Sequence, residues 1–140
     1  MIPRKMMYQE DEKLIIGHFL NDIVGEDRYL RFGHNASDEV VVQYLTDSFK
    51  SFGDTTMWFI TLDKNEVVGT VHVTKDGPHY AEMGFTVSPN YRNQGIAQNL
   101  FHRGSTWAVV KGAQTLFTHC LSQNKVMQHI ARKNGMNIIT

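Results

Sequence analysis

Residues 55–87 read as three strands in a row, and this run limits the fold more than any other part of the chain. Residues 55–62 are rich in β-branched and aromatic side chains. The polar stretch Asp63-Lys64-Asn65-Glu66 follows as a turn, and residues 67–74 form a second strand, so the pair predicts a hairpin. Asp76-Gly77-Pro78 is a strong turn signal before a third strand over 80–87. Tight turns between successive strands require antiparallel pairing. Residues 94–111 then carry Ile96, Ala97, Leu100, Phe101, Trp107 and Ala108 at helical spacing, and a further strand is expected over 115–121. A strand, a crossover helix and a strand make a βαβ unit.

Upstream, residues 2–8 are read as a first strand. Residues 9–22 place Leu14, Ile15, His18, Phe19 and Ile23 on a helical face, and 28–32 suit a short helix or turn. Ser37 can cap a helix whose first turn holds Asp38 and Glu39. Its apolar stripe is Val40, Val41, Tyr44, Leu45, Phe49 and Phe52. Downstream, a helix is expected from Ser122 or Gln123 to Asn134, with Gly135 at its C′ position and a last strand over 136–139. The order is α+β.

The 140 residues fit one domain, residues 1–140. Formal net charge is zero, which gives no field directed at nucleic acid or an anionic membrane. One cysteine permits no internal disulfide. No apolar run approaches a membrane span, and Arg4 and Lys5 precede nothing like a signal peptide. A cytoplasmic protein is expected. The seven histidines show no companion ligands at convincing spacing, so no metal is expected.

Chemistry is concentrated in Val87-Ser88-Pro89-Asn90-Tyr91-Arg92-Asn93-Gln94-Gly95-Ile96-Ala97. A helix leaves its first N–H groups unpaired, and its dipole adds positive charge there. Gly95 and Ala97 keep side-chain bulk away from an anion such as pyrophosphate. A Walker loop would need Gly-Lys-Ser/Thr, and a dinucleotide fingerprint would need three spaced glycines; neither is present.

Arg92-x-x-Gly95-x-Ala97 resembles the coenzyme A pyrophosphate loop of the GNAT acyltransferases. Leu116-Phe117-Thr118-His119-Cys120-Leu121-Ser122-Gln123-Asn124, with the helix and Gly135-Met136 that follow, is similar to that family's fifth strand, asparagine, short helix and glycine end. Leu30-Arg31-Phe32-Gly33 before Ser37-Asp38 resembles one subgroup. The resemblance implies a mixed, mostly antiparallel central sheet flanked by helices. It also implies acetyl-CoA as co-substrate and a primary amine, on a small molecule or a protein lysine, as acceptor. Arg92, Asn93, Gln94, Gly95, Ile96 and Ala97 would hold the pyrophosphate. Backbone groups of Phe85, Thr86 and Val87 would bind pantetheine. Asn124 would bind pantetheine or cap its helix.

By the same resemblance Glu82 is the general base, the alternative being a surface carboxylate or one paired with Lys or Arg. A desolvated setting would raise its pKa. His119 is a second candidate for proton transfer. His119 and Cys120 alternate along the expected strand, so at most one would face the cleft. Arg31 either binds an acceptor carboxylate or makes a salt bridge; His72 either lines the acceptor pocket or sits on the surface. Two departures stand out. The family usually has a Tyr seven residues beyond the asparagine, where this chain has Ala131. Water, Ser122 or another Tyr would then protonate the thiolate, or the fold would serve as a non-catalytic CoA-binding or interaction module. The family also usually runs on to a seventh strand. A sheet ending at Thr140 leaves an open edge or borrows one from a homodimer partner.

Overall fold

The computed structural model describes residues 1–137. Five strands form one sheet in the order β1 (Arg4–Lys5), β2 (Thr56–Asp63), β3 (Glu66–Asp76), β4 (Tyr80–Val87) and β5 (Thr115–Phe117). The first four pair antiparallel, and β5 joins β4 in parallel. This is the α+β, mostly antiparallel sheet expected. Lys64 and Asn65 take φ of 52° and 65° in the β2–β3 turn, the left-handed pair that a tight hairpin requires.

Helices cover both faces. Helices α1 (Glu12–Asn21) and α3 (Asp38–Lys50) press Ile15, Phe19, Val41, Leu45 and Phe49 onto Trp58 and Ile60 of β2. Helix α4 (Ile96–Val110) presses Ile96, Leu100 and Ala108 onto Met57, Phe59, Val71, Val73 and Met83. Alternate residues of β2 therefore enter different cores, and residues 56–61 are all buried. A strand buried on both faces needs apolar residues throughout rather than every second one. Helix α2 (Gly25–Phe32) lies over the C-terminal part of β4, and α5 (Lys125–Lys133) follows β5. Among the described residues no helix is long and apolar enough to cross a membrane.

Several boundaries differ from the sequence reading. The first strand is two residues long, extended by one bond from the Met6 N–H to the Trp58 carbonyl. Helix α1 starts at Glu12, not at residue 9, because Gln9 has φ of 69°, outside the right-handed helical region. The Asp11 carboxylate accepts from Arg4 at 2.8 and 3.0 Å and from the Met7 N–H at 2.6 Å. Helix α2 begins earlier than expected, at Gly25. Ser37 caps α3 as expected, its Oγ accepting from the Val40 N–H at 3.2 Å. Val40 itself is 46% exposed and lies outside the apolar stripe. Helix α4 begins at Ile96, since Gly95 at φ 81° cannot continue a right-handed helix. Gly135 takes the C′ position of α5 with φ of 75°. Its N–H reaches the Arg132 carbonyl and that of Met136 reaches Ala131, a Schellman closure. Met136 and Asn137 are not in a strand, and the rest of the strand expected over 136–139 lies outside the described residues.

Candidate active site

Strand β5 stays with β4 for only three residues. The pairs are Tyr80 with Thr115, Ala81 with Leu116 and Glu82 with Phe117. Beyond Glu82, β4 runs on to Val87 with β3 on one side and no strand on the other. The expected strand over 115–121 is therefore cut to three residues, because the two strands diverge. A cleft of about 1010 Å³ fills the opening, bordered by α2, Tyr44 of α3, β4, the loop before α4, and α5. That volume matches a site for a cofactor-sized ligand.

The loop at one end is held on both sides. The Ser88 N–H donates to the Val68 carbonyl at 2.8 Å, and the Tyr91 hydroxyl donates to Asp63 Oδ2 at 2.6 Å. Asn93 and Gly95 take φ of 62° and 81°, and the turn they make brings the first residues of α4 to the cleft. A Cβ on Gly95 would meet nothing within 4 Å, so backbone conformation rather than local crowding selects glycine here. Arg92 pairs with Asp27 of α2 at 3.0 Å and donates to the Val87 carbonyl at 3.3 Å. Gly95, Ile96, Ala97, Arg92 and Asn93 all border the cleft; Gln94 is exposed and reaches back to the Asn90 carbonyl at 3.5 Å.

Phe85, Thr86 and Val87 lie along the unpaired stretch of β4. The Phe85 ring stacks on Phe101, with centroids 6.1 Å apart. Thr86 is locked from behind by a chain that sequence reasoning missed. His18 Nε2 and Thr86 Oγ1 lie 2.7 Å apart, Thr70 Oγ1 is 2.6 Å from Thr86 Oγ1, and the Ser88 hydroxyl donates to Asp22 Oδ2 at 2.7 Å. The His18 side chain is fully buried, and burial lowers its pKa against the opposing effect of Asp22. A lone histidine on an otherwise apolar helix face was the available signal.

Glu82 faces the cleft and is hydrogen-bonded to His119 Nδ1. The structure thus unites the two proton-transfer candidates. Glu82 is 44% exposed, so the desolvation expected of it is absent, and its partner is a histidine rather than Lys or Arg. His119 and Cys120 both border the cleft, against the expectation that only one would. Strand alternation does not reach them, because β5 ends at Phe117. Asn124 caps α5 through its side chain, which accepts from the Met127 N–H at 3.1 Å. Ala131 is the buried residue of that helix.

A polar relay forms the opposite wall. Arg31 Nη2 donates to the Tyr44 hydroxyl at 3.0 Å, which lies 3.1 Å from His72 Nδ1. Arginine can only donate, so the Tyr44 oxygen accepts from Arg31. Nε2 lies 3.1 Å from both Ser48 Oγ and Thr74 Oγ1. Ser48 also accepts from the Trp58 indole at 2.8 Å. Burial, helped by the Arg31 charge, pushes the His72 pKa down to about 3. His72 is therefore a pocket residue and not a surface one. Arg31 forms no salt bridge with any described residue, so that alternative also falls. Tyr44 was read only as core; a buried tyrosine hydroxyl needs a polar partner, and that need was the missed signal.

The profile of the Acetyltransferase (GNAT) family matches residues 19–136. The chain belongs to this family. Solved GNAT structures share its fold at low identity. The GNAT domain of S. lividans PAT superposes with a TM-score of 0.81 at 17% identity, over 95% of this chain and 79% of that one. The aminoglycoside acetyltransferase AAC(6')-Iy, in complex with a bisubstrate analogue of CoA and acetylneamine, gives 0.72 at 16%, over 99% and 91%. Ribosomal-protein-alanine N-acetyltransferase from Brucella melitensis gives 0.73 at 18%, over 96% and 83%.

Proposed function

We propose that this GNAT domain transfers an acetyl group from acetyl-CoA to a primary amine by direct attack in a ternary complex. The observation that carries the reading is the gap in the sheet. Residues 83–87 of β4 offer backbone groups that no strand takes up on the β5 side, and that row ends at a helix N-terminus. An extended, amide-bearing arm with a pyrophosphate at one end matches both features. The first N–H groups of α4, with Gly95 and Ala97, hold the pyrophosphate, and the backbone from Phe85 to Val87 takes the pantetheine arm. When bound, acetyl-CoA supplies the acetyl group as a thioester.

Glu82, supported by His119, receives the proton that the amine nitrogen loses as it bonds to the acetyl carbon. Backbone N–H groups near Val87 polarise the acetyl oxygen. The carbon–sulfur bond breaks and the thiolate leaves, to be protonated by solvent or by a cleft hydroxyl. Ala131, where many relatives have tyrosine, favours one rival reading: a CoA-binding module that does not turn over. Release of free thiol from acetyl-CoA, measured with a panel of primary amines, decides between them. Saturable release supports transfer. CoA binding without release across the panel supports the module, and absence of CoA binding sinks both.

A further inference from the structure

We propose that the acceptor is a free amino acid, its carboxylate held by Arg31 and its amine presented to Glu82. This rests on the acyltransferase reading and adds the substrate class. Arg4, Arg28 and Arg92 each pair with an aspartate at 2.7–3.0 Å. Arg31 has no such partner among the described residues, although it borders the cleft. Its Nε is buried with no hydrogen-bond acceptor, and its one side-chain partner is the neutral Tyr44 hydroxyl. A guanidinium sunk in a protein without a counter-charge is costly, and an arriving carboxylate removes that cost. The fork is also held in place. It lies 5.3 Å from the Phe32 ring centroid and 5.5 Å from that of Tyr44.

Gly84 makes room for this arrangement. A Cβ there would come within 2.7 Å of Arg31 Nη2 and 3.0 Å of Cζ. Gly84 and Glu82 are alternate residues of β4 and share a face, so their Cα atoms stand about 7 Å apart along the strand. An α-amino acid separates its amine from its carboxylate by about 3 Å, and a hydrogen bond at either end adds up to about 3 Å each. An amino acid thus has the reach to span groups set this far apart. A larger acceptor with no carboxylate would leave Arg31 uncompensated. The rest of that wall adds no competing charge: His72 stays neutral, and Tyr44 and Thr74 are hydroxyls.

The test uses acceptors matched except for the carboxylate: L-phenylalanine, its amide and phenethylamine, then L-lysine, its amide and cadaverine. Thiol release is measured over a range of each. The expected result is that at least one acid exceeds its amide in kcat/KM by about tenfold or more, with the difference in KM. An amide has the less basic amine and more of it unprotonated, so this preference runs against intrinsic reactivity. Arg31→Met brings the ratio to within about twofold, and Arg31→Lys, which keeps charge but not the fork, restores part of it. Gly84→Ala displaces the guanidinium without removing it and gives the same loss by an independent route. Equal kcat/KM for acids and amides, or a preference that survives Arg31→Met, overturns the proposal. Calorimetric titration of the same acids and amides into the CoA-loaded chain reads Arg31 without turnover. No preference for the acid there also overturns it, whatever the thiol assay says of acetyl transfer.

Discussion

His72 lies flat on Trp58, with ring centroids 4.4 Å apart and planes 7° from parallel. Its two nitrogens are taken up by Tyr44 and by Ser48 and Thr74, so the ring is fixed from three directions. A proton added to the ring would place a second buried charge beside that of Arg31. The folded-state pKa is about 3, against 6.5 for the free side chain. In that window the unfolded chain binds a proton that the folded chain refuses, so stability falls as pH drops below 6.5. His18, also depressed by burial, acts in the same direction. For His72, urea denaturation at pH 7 and pH 5 is expected to differ by up to about 2 kcal/mol. In His72→Gln the pH slope becomes shallower, whatever its stability at pH 7.

Glu82→Gln keeps the shape of the side chain and its contact with His119 but cannot take a proton. Turnover is expected to drop by about 10²–10⁴-fold while CoA affinity holds, and the acid limb of the pH–rate profile moves or disappears. His119→Gln, tested in the same assay, separates the two partners. A variant at Glu82 with normal turnover and an unchanged profile makes that residue structural and His119 the first candidate.

Gly95→Glu places a carboxylate where α4 offers its first N–H groups, in a residue at φ 81°. CoA affinity is expected to fall about tenfold or more, 1.4 kcal/mol. Gly95→Asn tolerates the left-handed conformation and adds no charge, so it serves as the comparison. Calorimetry gives the affinities, and thermal melts report whether each variant keeps the fold.

Arg92 cannot serve a phosphate fully while it is paired with Asp27 at 3.0 Å. Partly exposed pairs of this kind contribute about 0–1 kcal/mol. Asp27→Asn therefore tightens CoA binding by up to about fivefold, and the gain shrinks at high salt. Unchanged or weaker binding at low salt would mean that Asp27 positions Arg92 rather than competes for it.

Gly104 lies inside α4, where alanine normally stabilises a helix by about 1 kcal/mol. Here a Cβ would sit 3.0 Å from Val73 Cγ2 and 3.2 Å from both Met83 Sδ and Val71 Cγ2. Overpacking of a filled core costs about 1–3 kcal/mol, so the net effect is destabilising. Denaturant midpoints for Gly104→Ala are expected to fall, and a rise would show that β3 and α4 can separate slightly without penalty.

The signals that could be read from sequence were local ones. Two turns between β-rich runs, the Ser37 cap and the Gly95 hinge each depend on neighbouring residues, and each sits where the chain's own chemistry puts it. The features that eluded sequence reading depend on distant partners. Strand β5 is short because it parts from β4, which propensity at 118–121 cannot disclose. Asp11 stands at the N-cap of α1 without capping it, because Arg4 holds its carboxylate. His72 is buried because α2 and α3 bring Arg31, Tyr44 and Ser48 over it, and no periodicity within β3 carries that information.

An outer sheet edge accepts almost any strand, which is why proteins disguise such edges. The opening between β4 and β5 is an edge of another kind, set inside the sheet and closed at one end by the last paired rung at Glu82 and Phe117. Helix α4 and its loop bound the other end, only five residues away along β4. A row this short, bounded at both ends, offers a strand-like partner only a few rungs. The same backbone that would invite aggregation at a sheet margin here works as a length gauge.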